Sequence, residues 1–272
     1  MAITRSIFKN PFNRDWIPDW ICPSCKKGII KVEDKNLKVI ESPISIIEHE
    51  KEYWEPAFIY GVFVGIFKCN NNSCGEIVTI SGDLKMDEEY IYDEESGYGD
   101  LQPVQSLIPK YFNPPLHLFD IHKDVPEIIK EAIKNTFSLY WLDSSSCANK
   151  IRIVVELIMD EQNISKYITV KRKRKGITLH KRIELFNLIN PEQAENLMAI
   201  KWIGNPGSHS SDILTLDDLL DGYEILEHVT TKLYEKDSAN IKKLVKTINK
   251  RKKPIGVKRP KPKKGKIRTT GF

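Results

Sequence analysis

The chain has 272 residues and a formal net charge of +5, with 40% hydrophobic and 29% charged residues. These proportions are those of an ordinary globular protein, and the length is sufficient for two domains with separate cores. The longest apolar run covers residues 57–67, which is shorter than the roughly 18 residues needed to cross a bilayer. The N-terminal residues lack the apolar stretch of a secretory signal, so we expect a cytoplasmic protein with no membrane association.

Runs of β-branched and aromatic residues between turn residues predict a β-rich domain over residues 1–106. The strands are predicted at residues 29–32, 37–40, 58–68 and 76–80. Residues 82–100 are acidic and rich in Gly and Tyr, which is typical of a solvated loop. The next segment, residues 107–120, contains three prolines and predicts an extended connector to the following domain.

Four of the five cysteines form two close pairs, Cys22 with Cys25 and Cys69 with Cys74. In a reducing compartment such pairs are typical of metal ligands, and four thiolates complete the tetrahedron of a structural Zn²⁺ ion. The pairs therefore predict an N-terminal zinc ribbon whose metal has no open position for catalysis. The 43 intervening residues predict an inserted hairpin with a helix or loop. Four incidental buried cysteines are the alternative, and Cys147 is predicted to be a small packed residue.

From residue 125 the apolar period changes to about 3.6 residues, which predicts an all-helical domain over residues 107–249. Serines at residues 144–146, Asn190 with Gln193, and Thr215 with Asp218 are typical of helix N-termini. The helices are predicted at residues 125–142, 145–160, 179–189, 191–203 and 216–236, and a continuation over residues 238–249 is left open.

Positive charge is concentrated in two segments. Residues 250–268 contain eleven Lys or Arg and no acidic residue, so subtracting them from +5 leaves −6 on the other residues. This composition predicts a disordered tail over residues 250–272 that contacts RNA or DNA phosphates or an acidic partner. A basic loop is predicted between the second and third helices, and solvated charge without a ligand is its alternative. The residues assigned to nucleic-acid binding are Lys171, Arg172, Lys173, Arg174, Lys175, Lys252, Lys253, Lys258, Arg259, Lys263 and Lys264.

The helical segment carries a recognisable pattern. The second helix reads Ala148-x3-Arg152-x3-Glu156-Leu157, and the fourth runs into Ile203-Gly204-Asn205-Pro206-Gly207-Ser208-His209. Over residues 107–236 the chain resembles the domain of unknown function 4145 family, itself similar to the HEPN superfamily of helical bundles. The resemblance implies a bundle of the kind found in nucleic-acid-linked systems, including restriction and defence.

Many HEPN proteins are metal-independent ribonucleases with an Arg-x4–6-His motif, and the resemblance places His209 at the histidine and Asn205 at the polar residue after the arginine. Gly204 stands at the arginine position, and the nearest upstream cation is Lys201. Lysine can neutralise a phosphate but lacks the planar two-bond geometry of arginine. Arg152 is a further candidate phosphate ligand, with an ion pair inside its own helix as the alternative. His209 could equally form a structural hydrogen bond to a neighbouring helix.

Three functions follow from these patterns. The first is a non-catalytic nucleic-acid-associated protein, and the second is a metal-independent endoribonuclease with His209 as its base. The third is a regulator that binds only proteins. The resemblance also leaves a homodimer open, because bundles of this type often dimerise. The predicted fold class is α+β: a β-rich zinc ribbon, an all-α HEPN-like bundle and a disordered basic tail. Trp202 is predicted to lie in the core of the bundle, with base stacking as the alternative.

Overall fold

A curled antiparallel sheet of five strands forms the N-terminal part of the fold. The computed structural model describes residues 3–93, 97–204, 214–235 and 245–250. β3 lies inside the sheet, with β1 and β2 paired to one edge, β4 paired to the other, and β5 paired to β4. The strands are β1 (Ile30–Lys31), β2 (Leu37–Glu41), β3 (Tyr60–Cys69), β4 (Ile77–Asp93) and β5 (Tyr98–Asn113).

The strands form where alternate residues can be buried on one face. In β3, Phe63 and Phe67 are buried while Val62 and the other alternate residues are exposed, as expected for a sheet with one face on the core. The β4–β5 register shifts between Ser81 and Gly82. A bulge of this kind increases local twist, and it helps the sheet to curl.

Seven helices are described before residue 235. They are α1 (Ser6–Lys9), α2 (Pro43–Glu48), α3 (Glu127–Phe137), α4 (Ser144–Glu161), α5 (Leu179–Asn187), α6 (Pro191–Ile203) and α7 (Leu216–Tyr234). Between α4 and α5 lies a two-stranded hairpin of β6 (Tyr167–Val170) and β7 (Lys173–Gly176). Residues 245–250 are also helical and belong to a second unit, Glu235–Phe272. In the described ranges no helix has the length and apolar character of a bilayer-crossing segment.

Aromatic side chains join the sheet to the helices in one core. The ring centroids of Trp20 and Phe112 are 5.1 Å apart, and those of Phe112 and Trp141 are 4.3 Å apart. The Trp141 indole N–H donates to the carbonyl oxygen of Phe8 at 3.0 Å. Met1–Tyr234 accordingly forms one compact unit. The predicted division at residues 106 and 107 falls inside β5, because the buried Leu107 and Phe112 of that strand belong to the shared core.

The predicted fold class is wrong. Instead of a zinc ribbon followed by an all-α bundle, the structure is mixed, with a curled half-barrel sheet and helices that follow residue 127. The segment between the cysteine pairs forms β1, β2, α2 and β3, and its three strands belong to a five-stranded sheet that is larger than a ribbon. The supposed basic loop is the β6–β7 hairpin, so the helical part is not all-helical.

Residues 82–100, predicted to be a solvated loop, lie largely in the long strands β4 and β5. Side chains in this segment alternate between the two faces of the sheet, as in any strand. The many acidic residues concealed this pattern in the sequence. The helix predictions agree closely with the structure, and the helix at Pro191–Ile203 has its predicted bounds. The predicted disordered tail, with its six assigned nucleic-acid ligands, lies outside the described residues.

A buried ion pair fixes the turn after α4 against α5. Arg182 is buried and donates from Nη2 to Asp160 Oδ1 at 2.6 Å and to the Ile164 carbonyl oxygen at 2.7 Å. Lys166 Nζ lies 2.8 Å from Asp160 Oδ2. Burial opposes ionisation of Asp160, but the hydrogen bonds from Lys166 and Arg182 together hold its pKa below the ordinary value.

We expect Asp160→Asn to lower the free energy of unfolding by about 1–2 kcal/mol at pH 7, because a charge-assisted bond to a buried guanidinium is lost. A carboxylate with a lowered folded pKa stabilises above its unfolded pKa of about 4 and loses this contribution as the pH falls through the folded value. Urea unfolding should therefore separate wild type from variant at pH 7 and show them converging below pH 4. Glu161→Gln, an exposed neighbour, is the control, and an equal loss from it would contradict the assignment.

Candidate metal centre

The four paired cysteines converge on one point of the fold. Their sulfur atoms all lie within 4.8 Å of one another, with Cys22 Sγ 3.8 Å from Cys74 Sγ and Cys25 Sγ 3.6 Å from Cys69 Sγ. Sulfurs bound at 2.3 Å to one tetrahedral ion would be about 3.8 Å apart. A disulfide needs about 2.05 Å, so all four are free thiols. The spacing fits one metal ion held by four thiolates.

The first pair lies on a tight turn that precedes β1. The Cys22 amide donates to the Gly28 carbonyl oxygen at 2.8 Å, and the Lys26 amide donates to the Cys22 carbonyl oxygen at 3.0 Å. Lys26 has a positive φ of 56°, which closes the turn at some conformational cost. The segment returns on itself within seven residues, and this brings the thiols of Cys22 and Cys25 to the same side.

The second pair lies at the end of the sheet, where β3 connects to β4. Cys69 is the last residue of β3, and its amide donates to the Glu76 carbonyl oxygen at 2.8 Å. The amides of Cys74 and Gly75 both donate to the Asn71 carbonyl oxygen, at 2.9 and 3.1 Å. Gly75 has a φ of 65°, which glycine adopts without strain. The two turns are tied together because Ile29 donates to Asn70 Oδ1 at 2.8 Å.

Gly28 sets how closely the two turns approach. A Cβ at this position would lie 2.5 Å from Cys69 Sγ and 2.9 Å from Asn70 Oδ1. Such contacts are too short for real side chains, so a larger residue would push the second turn away from the first. Glycine is therefore required here by the neighbouring sulfur, although its φ is ordinary.

Amide hydrogen bonds and burial shift the pKa values of the thiols in opposite directions. The backbone amides of Gly28 and Lys27 lower the pKa of Cys25 to about 6, and the Gly28 N–H lies 3.4 Å from its sulfur. Burial raises the pKa of Cys69 to about 12, although the Asn71 amide donates to it at 3.4 Å. A bound cation would override both effects on the pKa, because thiols that coordinate a metal ion lose their protons.

Cys147 does not belong to the cluster. It is buried in α4, with its sulfur 3.1 Å from Tyr223 Oη and 3.6 Å from the Thr136 carbonyl oxygen, and burial raises its pKa to about 12. It is a packed residue, as the sequence predicts.

The residues assigned to ribonuclease chemistry are placed only in part. His209 and Asn205 lie outside the described residues. Lys201 is buried at the end of α6 near Arg152 of α4, and burial together with that guanidinium lowers its pKa. Neither cation has a carboxylate partner among the ion pairs of the described ranges, so the alternative of an ion pair within α4 is not observed. A Cβ on Gly204 would lie 3.4 Å from Arg152 Cβ, which places the exit of α6 directly against α4.

Trp202 is more exposed than the sequence suggests. Its side chain is 54% exposed, and the Lys201 ammonium lies 3.4 Å from its ring centroid. The ring lines the groove between α5 and α6 and is not enclosed in the core. The prediction of a core tryptophan is therefore wrong.

The five cations assigned to the basic loop lie on the β6–β7 hairpin, and every residue from 165 to 176 is exposed. Lys171 and Arg172 form the turn with φ values of 47° and 62°. Sequence reasoning missed this hairpin because its turn lacks the Asn-Gly or Asp-Gly pair that usually marks such a connection. The run of aromatic and β-branched residues in Tyr167–Val170 was the available signal.

We expect Gly28→Ala to reduce bound metal to well below one ion per chain and to lower the thermal midpoint by several degrees, because the methyl group displaces Cys69 Sγ. Elemental analysis of the purified protein and calorimetry with and without a chelator measure both effects. Gly176→Ala is the matched control, since a Cβ there meets nothing within 4 Å. Full metal content in the Gly28 variant would contradict the geometry.

Comparison with known families divides the chain into two matched segments. Residues 10–112 match a family described as Domain of unknown function (DUF8608), and residues 134–251 match one described as Domain of unknown function (DUF4145). No curated protein and no solved structure matches the chain. The first segment contains all four clustered cysteines, and the second contains the basic hairpin. The resemblance of the helical segment to family 4145 is thus confirmed by the match over residues 134–251.

Proposed function

We propose that the chain is a nucleic-acid-associated protein without catalytic activity, and that the β6–β7 hairpin is its phosphate-binding element. The observation that carries this proposal is the hairpin itself, a two-stranded ribbon with five successive cations from Lys171 to Lys175. A two-stranded ribbon has the width to enter the major groove of duplex DNA or to lie along a phosphate backbone. Because no arrangement for reading bases is present on the described residues, we expect electrostatic binding of RNA or DNA.

The hairpin combines charge with an aromatic platform. The guanidinium carbon of Arg174 lies 3.8 Å from the centroid of the Tyr167 ring, and this tyrosine is 45% exposed. Stacked arginine and tyrosine pairs are common where a protein contacts nucleobases and phosphates together. Arg174 and Tyr167 are both exposed, so a ligand can reach them.

The turn residues favour a binding role over a purely structural one. Lys171 and Arg172 both adopt left-handed backbone angles, which cost about 1 kcal/mol each for residues other than glycine, Asn or Asp. A turn selected for stability would carry Asn-Gly. Two cations kept at a strained tip are expected where their charge is needed.

We propose that the metal is Zn²⁺ in a structural role. Four thiolates at tetrahedral spacing suit zinc or iron, and they leave no position for substrate or water. The cluster joins the turn before β1 to the β3–β4 connection, so the ion would hold the end of the sheet together. A protein that keeps its thiols reduced and contacts nucleic acid belongs in the cytoplasm.

A ribonuclease related to the HEPN superfamily is the second candidate, and one observation favours it. Lys201 and Arg152 are two neighbouring cations with no carboxylate partner among the described residues, at the point where α6 leads into the segment that carries Asn205 and His209. Such a pair could bind a phosphate. In this mechanism His209 would remove the proton of the 2′-hydroxyl. A regulator that binds only proteins is the third candidate.

We expect the double substitution Lys171→Asn and Arg172→Gly to weaken binding of a labelled 20-residue RNA or duplex DNA about tenfold at low salt. The new turn suits the hairpin better, so lost affinity cannot be attributed to unfolding. The plot of log affinity against log salt concentration should become shallower by about 0.7–0.9 for each phosphate contact removed. Fluorescence anisotropy over a salt series measures both quantities.

The control for this experiment replaces three other exposed lysines, Lys123, Lys150 and Lys232, with glutamine. A truncation after Lys250 measures the contribution of the tail separately. Equal loss in the control, or binding by wild type that does not respond to salt, would contradict the proposal. Absence of binding at low salt by wild type would favour the protein-only regulator.

The ribonuclease candidate predicts metal-independent cleavage of RNA that His209→Ala abolishes and Lys201→Met reduces by at least tenfold. Incubation of wild type and variants with labelled RNA in excess chelator measures cleavage. Our proposal expects no cleavage by any of the proteins. Cleavage by wild type that is lost in the His209 variant would establish the enzyme instead.

A further inference from the structure

A long two-stranded ribbon extends from the sheet beyond the last pairing with β3. β3 pairs with β4 only as far as Lys85, while β4 and β5 remain paired from Met86↔Gln105 to Asp93↔Tyr98. We name residues 86–104 the acidic ribbon, because this segment contains seven Asp or Glu and no Lys or Arg. Its strands are described up to residue 93 and from residue 98.

Large apolar side chains are more frequent on one face of the ribbon, and carboxylates are more frequent on the other. The register places Tyr90 opposite Leu101, and Met86, Tyr92 and Pro103 point to the same side, together with one carboxylate, Glu88. This face continues the core-facing side of β4, whose Leu84 is buried. The opposite face carries three carboxylates, Asp87, Glu89 and Asp100, and also the apolar side chains of Ile91 and Val104.

The apolar face is exposed. Tyr90 is 63% exposed, Tyr92 58% and Leu101 55%. A two-stranded ribbon of this length is only marginally stable in water without packing on one face. A contiguous row of large exposed apolar side chains marks a surface that another molecule covers.

The charge of the ribbon selects its partner. Nucleic acid and anionic lipid would be repelled by its carboxylates, whereas a basic polypeptide surface with apolar side chains would be attracted. The same chain presents such a surface in the β6–β7 hairpin. Its cations are accompanied by Tyr167, Ile168 and Val170, which are 45%, 37% and 45% exposed. Both elements are exposed two-stranded ribbons, so one can lie along the other.

We propose that the acidic ribbon of one molecule docks on the β6–β7 hairpin of a second copy of this chain. The contact is heterologous, so two reciprocal contacts close a dimer and single contacts extend a chain of molecules. Because its attraction is between exposed charges, the association weakens with salt. The hairpin would then be shared between a second copy and the nucleic acid of the proposed function, but the association itself does not depend on that function.

Sedimentation velocity of the full chain tests the proposal. Wild type should associate at 50 mM salt at micromolar concentrations and at least tenfold more weakly at 500 mM salt. A ribbon variant (Asp87→Lys, Glu89→Lys, Asp100→Lys) and a hairpin variant (Lys173→Glu, Arg174→Glu, Lys175→Glu) should each associate at least tenfold more weakly than wild type. An equimolar mixture of the two variants should recover association, because each now carries the charge that the other needs.

The control reverses three acidic residues outside the ribbon, Glu50→Lys, Glu52→Lys and Glu55→Lys, and should associate like wild type. Circular dichroism verifies folding of each variant, and each variant tests one side of the contact independently. A wild type that stays monomeric at 100 µM in 50 mM salt would overturn the proposal. Variants that associate like wild type, or a mixture that stays monomeric, would also overturn it.

Discussion

Four sulfur atoms within 4.8 Å of one another connect two parts of the chain that are more than forty residues apart. One pair closes the turn before β1, and the other closes the connection from β3 to β4. Trp20, two residues before Cys22, is buried against Phe112, and Phe112 in turn contacts Trp141 between α3 and α4. A chain of direct contacts therefore runs from the cysteine cluster to the helices, and displacement of the first turn would disturb the shared core.

Acidic and basic side chains are concentrated on two different surface elements. The acidic ribbon lies beyond the sheet, and the basic hairpin interrupts the helices, so each is an exposed pair of strands with one sign of charge. Such an arrangement gives a protein directional electrostatic recognition, since complementary ligands are attracted to one element and repelled by the other. The apolar side chains on both ribbons add contact area that charge alone would not provide. The cluster of four cysteines, by contrast, joins two turns at the end of the sheet.

The sequence predicted local features well and their assembly poorly. Cysteine spacing identified all four clustered thiols, and capping residues such as Asn190 located helix starts, because both signals act within a few residues. The size of the sheet was not predictable in this way. Acidic residues hid the alternation of β4, and the Lys171–Arg172 turn lacks the usual hairpin residues. The shared core depends on contacts between distant residues, such as Phe8 with Trp141, that no local pattern encodes. The roles assigned to Asn205 and His209 stay predictions, because both residues lie outside the described ranges.

The central claim is that one metal ion is held by Cys22, Cys25, Cys69 and Cys74 and fixes the end of the sheet. X-ray absorption spectroscopy of the purified chain at the zinc edge measures the number, type and distance of the ligands directly. We predict one zinc ion with four sulfur ligands at about 2.3 Å and no nitrogen or oxygen ligand. A metal-free folded protein, or an ion with fewer than four sulfur ligands, would contradict it.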